Sequence, residues 1–157
     1  MSKQNWKQEI EGYVKNVPFA ALAYVRSDGT PVQRTLGSFA RHDINLFFST
    51  RIDAAKVKEI ENNPRVSFLF EADNQQLPAW KNVLFIGKAA PVTSDSELKL
   101  ATELLSARNP RFKERVSKDG LKDTQVFRLQ TEEIQFLDFA KGQGHLQKIS
   151  LPEREEV

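Results

Sequence analysis

Cysteine is absent from the 157-residue chain, and with it go disulfides, thiolate nucleophiles, iron–sulfur clusters and the usual zinc sites. Redox chemistry, if the protein performs any, must then come from a bound cofactor. No apolar run approaches the roughly 18 residues that a membrane helix requires, and Met1–Glu11 is polar and mixed in charge, without a targeting pattern. The expectation is a cytoplasmic protein that meets no membrane. An excess of charge of one sign is missing too. The 23 Lys and Arg residues are interspersed with 21 Asp and Glu, for a net +2, so the basic stripe of a nucleic-acid binder does not form. No G-x-G-x-x-G, Walker A, H-E-x-x-H or G-x-S-x-G pattern occurs, which removes the commonest dinucleotide, nucleotide, zinc-protease and hydrolase readings. Repeats, low-complexity segments and linkers are likewise missing.

What is present alternates short apolar segments with turn residues. Trp6, Ile10, Tyr13 and Val14 fall at helical spacing, which predicts an amphipathic helix over 3–16 that stops at Val17-Pro18. F-A-A-L-A-Y-V over 19–25 reads as a strand buried on both faces. Ser27-Asp28-Gly29 supplies hairpin chemistry, and 31–39 reads as the return strand. With 44–50 as the next strand, the first half is expected to open as a three-stranded meander. Asp53 is placed to cap a helix over 54–61, which Asn62-Asn63-Pro64 stops. Strands follow at 65–71 and 80–92, the second with Gly87 as a bend. Ser94 or Asp95 starts a helix through Leu105, and a short basic helical piece covers 112–116. The last two strands are expected at 125–129 and 133–139, with 141–157 as a charged tail.

Strands that follow one another through short turns favour a mainly antiparallel barrel with helical covers. The expected fold is therefore mainly β: a barrel of about six or seven strands in one domain over 1–140, with 141–157 as a tail beyond it.

One constellation carries chemistry. Arg34-Thr35 on the second strand, Ser49-Thr50 at the end of the third, and Lys56 in the first turn of the following helix lie where they can converge on an anion. A phosphate takes a guanidinium fork, hydroxyl donors, an ammonium and the free amides of a helix N-terminus. Asp53 opposes this reading, because a capping carboxylate occupies those same amides. The alternative reading is a set of solvated cations on separate elements. His42, in a turn, and His145, between glycines in the tail, are read as solvated residues. No general acid or base stands out, and the catalytic residues are unknown.

The strings P-V-Q-R-T-L-G-S-F, N-L-F-F-S-T-R and A-A-K-V-K-E-I-E-N-N-P-R-V-S-F-L-F, in that order, resemble the FMN-binding split-barrel family related to pyridoxamine 5′-phosphate oxidase. The likeness covers roughly 19–92. It implies a split barrel, FMN as cofactor, and a two-fold homodimer with sites across the interface. By position it implies that Arg34 and Lys56, with Ser49 and Thr50, grip the FMN phosphate, with Arg51 as a helper. Backbone from Thr35 through Leu36 to Gly37 would lie along the isoalloxazine ring. Asn82, in K-N-V-L-F-I-G, would reach the flavin of the neighbouring subunit, and Trp80 would pack near the ring.

Two departures qualify what the resemblance implies. Ala54 stands two residues before the helix lysine and brings no hydroxyl. The segment F-L-D-F-A-K-G-Q-G-H-L-Q-K-I-S does not reproduce the part of the oxidase that recognises pyridoxal phosphate. The resulting expectation is an FMN-dependent oxidoreductase acting on a small substrate. The alternatives are a non-catalytic flavin- or haem-binding stress or sensor protein, and a reductase using the deazaflavin F420.

Overall fold

A computed structural model describes residues 3–152 of the chain. Helix α1 (Lys3–Lys15) leads into strands β1 (Ala20–Val25), β2 (Pro31–Leu36), β3 (Phe39–His42) and β4 (Asn45–Arg51). Helix α2 (Ala55–Asn62) precedes β5 (Arg65–Phe70) and β6 (Lys81–Pro91), which flank a 3₁₀ turn at Leu77–Ala79. Helices α3 (Asp95–Arg108) and α4 (Pro110–Asp119) are followed by β7 (Thr124–Asp138), a second 3₁₀ turn (Phe139–Lys141) and β8 (Leu146–Ser150). All strand pairs are antiparallel, in the order β2-β1-β5-β6-β7-β4-β3 with β8 added to β7.

Strands β2 and β3 are therefore the two ends of the sheet, yet only Gly37 and Ser38 separate them in the chain. The sheet must curl until its edges nearly meet, and because β2 and β3 do not pair, the barrel stays split. Its inside is filled by phenylalanines. Phe39, Phe48, Phe68, Phe70, Phe85 and Phe127 are all less than 2% exposed. Phe48 sits 5.0 Å from Phe68 and 5.1 Å from Phe127 between ring centroids. Trp6, Ile10 and Val14 of α1, and Val57 and Ile60 of α2, join the same core. A second, smaller core lies outside the barrel, where α3 and α4 cover Ala40, Phe47, Val92 and Val126.

The Asp-Gly hairpin forms as expected, with Gly29 at φ +84° and the Arg26 amide donating to the Thr30 carbonyl at 2.9 Å. Several other expectations are corrected. β1 is fully buried on one face only, because Ala20, Leu22 and Tyr24 point inward while Ala21, Ala23 and Val25 are half-buried. The opening meander does not exist. The segment read as one strand over 31–39 breaks at Gly37-Ser38, and β4 pairs with β3 and β7 rather than with β2.

The two strands expected at 125–129 and 133–139 are one strand, β7. Gly87 faces Thr131 and Ile86 faces Glu133, so Glu132 is the extra residue of a bulge. Inward residues are Phe127 and Leu129 before it, Ile134 and Phe136 after it. This change of phase makes one strand read as two. The segment taken as a tail carries β8, which pairs with residues 133–137 and raises the strand count to eight. Residues 153–157 of that tail, and Met1 and Ser2 at the other end, lie outside the described residues.

The bulge explains Gly87. A Cβ there would lie 2.0 Å from the Gln130 carbonyl oxygen and 3.0 Å from the Thr131 Cα, both of them backbone. Gly87→Ala is expected to lower unfolding stability by about 1–3 kcal/mol through overpacking. Gly12→Ala, on a helix face with nothing within 4 Å, is expected to raise it by about 0.5–1 kcal/mol. Denaturant midpoints measured side by side check both signs.

Candidate functional site

The β2–β3 crossing shapes one end of the barrel. Ser38 and Ser49 are joined by their hydroxyls, and the Ser49 amide donates to the Ser38 carbonyl at 3.0 Å. Gly37 passes so close to Phe19 that a Cβ would meet its ring at 3.1 Å. Beside this crossing, side chains alternate along β2 and β4. Val32 and Leu36 pack on the core, and Arg34 lies between them on the same face, directly across from Leu22. Its guanidinium is nevertheless exposed, because β2 is an edge strand at the split. Leu46 and Phe48 point inward on β4, which puts half-buried Thr50 on the inner face as well.

Helix α2 enters directly after β4 and seals this end with Val57 and Ile60. A bond from the Ser27 amide to Glu59 Oε2, 2.8 Å long, ties it to the β1–β2 hairpin. Lys56, in its first turn, is half-buried. Its pKa is held below the ordinary lysine value, chiefly by desolvation and then by the Arg34 guanidinium. The two cations are therefore near enough to repel. Neither forms an ion pair among the described residues, and the bond recorded for Arg34 is to the neighbouring Gln33 carbonyl at 2.9 Å.

Asp53 does not cap α2. The N-cap is Ala54, with no side-chain bond to the helix amides. Asp53 instead pairs with Arg51 at 3.1 Å, and that guanidinium holds its carboxyl below the usual carboxylate range. The anticipated competition for the first amides of α2 is thus removed. Sequence reasoning made Asp53 the cap because it could not see its partner Arg51 two residues upstream.

Arg34 lies near enough to Lys56 for its guanidinium to act on the ammonium, Thr50 shares the inner face of β4 with Leu46 and Phe48, and the rest lie elsewhere. Ser49 points to the other face of β4, where it is 2% exposed and engaged by Ser38. Arg51 is exposed and paired with Asp53. Thr35 is exposed on the outer face, opposite Ala21, while Leu36 is a core residue and Gly37 stands at the crossing. Trp80 and Asn82 lie at the start of β6, where Glu71 Oε2 accepts from both, at 2.9 and 3.0 Å. Between β2 and β6 stand β1 and β5, so Asn82 sits about 14 Å across the sheet from Gly37 by strand spacing. Within one chain it does not reach the cationic gap. Glu71 was not singled out from sequence, because an exposed glutamate at a strand end carries no local signal.

The other candidates are occupied elsewhere. Arg41 donates to Glu11 at 3.0 Å and to the Asp43 carbonyl at 2.9 Å. His42 is exposed and stacks on Phe47 at 5.8 Å between centroids. His145 is exposed, and its amide closes a turn onto the Gly142 carbonyl at 3.0 Å. A cleft of about 1040 Å³ runs past Lys15, Phe19, Gly37, Ser38, Arg108 and Arg111. It adjoins the crossing, but neither Arg34 nor Lys56 lines it. No helix among the described residues is long and apolar enough to cross a membrane.

A sequence profile described as pyridoxamine 5′-phosphate oxidase matches residues 6–138. No curated protein matches the chain. Among solved structures, the haem storage protein HutZ of Vibrio cholerae is 28% identical, with a TM-score of 0.64 over 80% of this chain and 89% of that one. A haem-binding protein of Mycobacterium smegmatis is 16% identical with a TM-score of 0.76, over 92% of this chain and 57% of that one, so this chain spans little more than half its length. General Stress Protein 26 of Bacillus anthracis is 19% identical with a TM-score of 0.68, over 92% of this chain and 99% of that one. The last two likenesses concern the fold alone.

The Lys56 environment has a pH signature. The folded protein binds the Lys56 proton less tightly than the unfolded chain, so the charged ammonium costs stability below its folded pKa. That loss is relieved as pH rises through the folded pKa toward the unfolded value of 10.5. In ligand-free protein, unfolding stability of wild type relative to Lys56→Met should therefore climb with pH in that alkaline window. Arg34→Ala should make the climb smaller without abolishing it, because burial is the larger cause. Denaturant titrations at a series of pH values read the difference.

Proposed function

The chain belongs to the pyridoxamine 5′-phosphate oxidase family, and from that premise we propose that it is an FMN-binding flavoprotein, an oxidoreductase acting on a small substrate. The observation that carries this reading is the pair Arg34 and Lys56, two cations near enough to repel and without an ion pair among the described residues, with Lys56 in the first turn of a helix whose N-cap makes no side-chain bond. Like charges in a half-buried gap repel, and a phosphate dianion converts that repulsion into attraction. The donor set suits a terminal phosphate: a guanidinium, an ammonium, the Thr50 hydroxyl and the N-terminus of α2. Ser49 is left out of that set because Ser38 engages its hydroxyl. When bound, the isoalloxazine supplies the electron-transfer chemistry. This chain's residues hold the phosphate, present the Thr35–Gly37 backbone to the ring, and limit access of water.

A homodimer completes the reading. Ala21, Ala23, Leu69, Leu84 and Ile86 share the outer face of β1, β5 and β6, half-buried and outside both cores formed by the described residues. Thr35 and Asn82 lie on the same face by register. A second copy seated there would bring its own Asn82 to the Thr35 side of β2, which supports an assignment of Asn82 to the partner's cofactor. A negative charge in the middle of that face should oppose association. Leu84→Glu is expected to shift the protein from dimer to monomer in sedimentation and to weaken FMN binding with it.

A second reading, haem binding, is supported by the likeness to HutZ, whose description is a haem storage protein. The visible spectrum of the purified protein separates the two: flavin bands near those of FMN support the first, and a Soret band the second. Arg34→Ala is expected to weaken FMN binding by about 1.5–3 kcal/mol, the range for a hydrogen bond to a charged group. Lys56→Ala should act in the same direction with a smaller effect. Unchanged affinity by fluorescence titration would remove Arg34 from the site.

A further inference from the structure

Glu71 holds an arrangement that phosphate binding does not use. One carboxylate oxygen, Oε2, accepts from the Trp80 indole Nε1 at 2.9 Å and from Asn82 Nδ2 at 3.0 Å. A carboxylate only accepts hydrogen bonds, so the amino end of the Asn82 carboxamide must turn to Glu71 and its Oδ1 must turn away. The segment carrying both residues is pinned to the body of the protein. The Tyr13 hydroxyl donates to the Lys81 carbonyl at 2.7 Å and accepts from the Ala72 amide at 2.9 Å. The Gln75 carboxamide clasps Lys81 from both sides, donating to its carbonyl and accepting from its amide at 2.8 Å each. Glu71 thus stands on a fixed base.

By register Asn82 lies opposite Leu137 on the outer face. What the Glu71 bond leaves turned away at Asn82 is therefore the acceptor Oδ1. Resting on the reading that the face meets the flavin of a second copy, we propose that Glu71 is a positioning residue. It locks the Asn82 carboxamide with Oδ1 outward, so that the site selects a ring N–H. Oxidised isoalloxazine has one such group, the imide N3–H, flanked by two carbonyls that a turned amide would bind instead. Without Glu71 the carboxamide is free to rotate by half a turn, and the selection is lost.

The test uses two probes, FMN and 3-methyl-FMN, which lacks the N3–H, titrated into the ligand-free full chain by flavin fluorescence. Wild type should prefer FMN by about tenfold, the worth of one hydrogen bond. Glu71→Leu, at an exposed position, should fold normally and bind the two within about twofold of each other. Glu71→Gln keeps an acceptor oxygen and should restore the preference, which a merely structural role for Glu71 does not predict. Equal binding of both probes by wild type overturns the proposal, as does a Glu71→Leu variant that still discriminates. Failure of wild type to take up FMN at all overturns the cofactor reading itself, and is distinct from either result.

Discussion

The sheet has its two edge strands joined by two residues, and the rest of the architecture follows from that constraint. Gly37 and Ser38 can connect β2 to β3 only if seven strands curl back on themselves. The curl is fixed by the serine pair at the crossing and by the contact of Gly37 with Phe19. It is driven by six buried phenylalanines that need an enclosed interior. Because the edges come together without pairing, one end of the barrel keeps a gap in which an inward-facing residue of β2 is exposed. Arg34 occupies that place, and α2, arriving immediately after β4, brings Lys56 near enough to feel its charge.

The electrostatics of the gap are a consequence of the topology and not of overall charge, which is close to balanced. Desolvation by the packed helix and the nearby guanidinium both press on the Lys56 ammonium in the same direction. Asp53, the nearest carboxylate in sequence, is drawn off by Arg51 at the surface. The result is a local excess of positive charge, partly shielded from water, next to the positive end of a helix. Such a site favours a compact dianion over a singly charged carboxylate. The outer face of the same strands carries a different kind of incompleteness, an apolar surface bounded by Thr35 and Asn82. Under the proposed function, two copies sharing two cofactors would account for both features.

Much of the fold was legible in the sequence, and the failures have physical causes. Element types were readable wherever periodicity was unbroken, as in α1, β5, β6 and α3, and wherever turn chemistry was explicit, as at Asp28-Gly29. Pairing was less so. The short Gly37-Ser38 link reads as a pause in one strand, since nothing local says that the chain has jumped from one sheet edge to the other. β7 reads as two strands because Glu132 reverses which side chains face inward. β8 lies among glycines and charges, and its pairing with β7 is set by the long strand beside it. At the candidate site, Arg34 and Lys56 were singled out from residue type and spacing, and the Arg34 guanidinium acts on the Lys56 ammonium. The division of Ser49 from Thr50 follows from strand alternation but needed the burial pattern to say which faces inward. Glu71 became visible only through its two bonds.

The central claim is that the Arg34–Lys56 gap exists to hold a phosphate. Comparing FMN with riboflavin, the same ring system without the phosphate, in calorimetric titrations of the ligand-free protein tests it most directly. The account predicts that riboflavin binds at least about 100-fold more weakly, roughly 2.8 kcal/mol, because the charge-assisted contacts are lost together. Equal affinity for the two would contradict it.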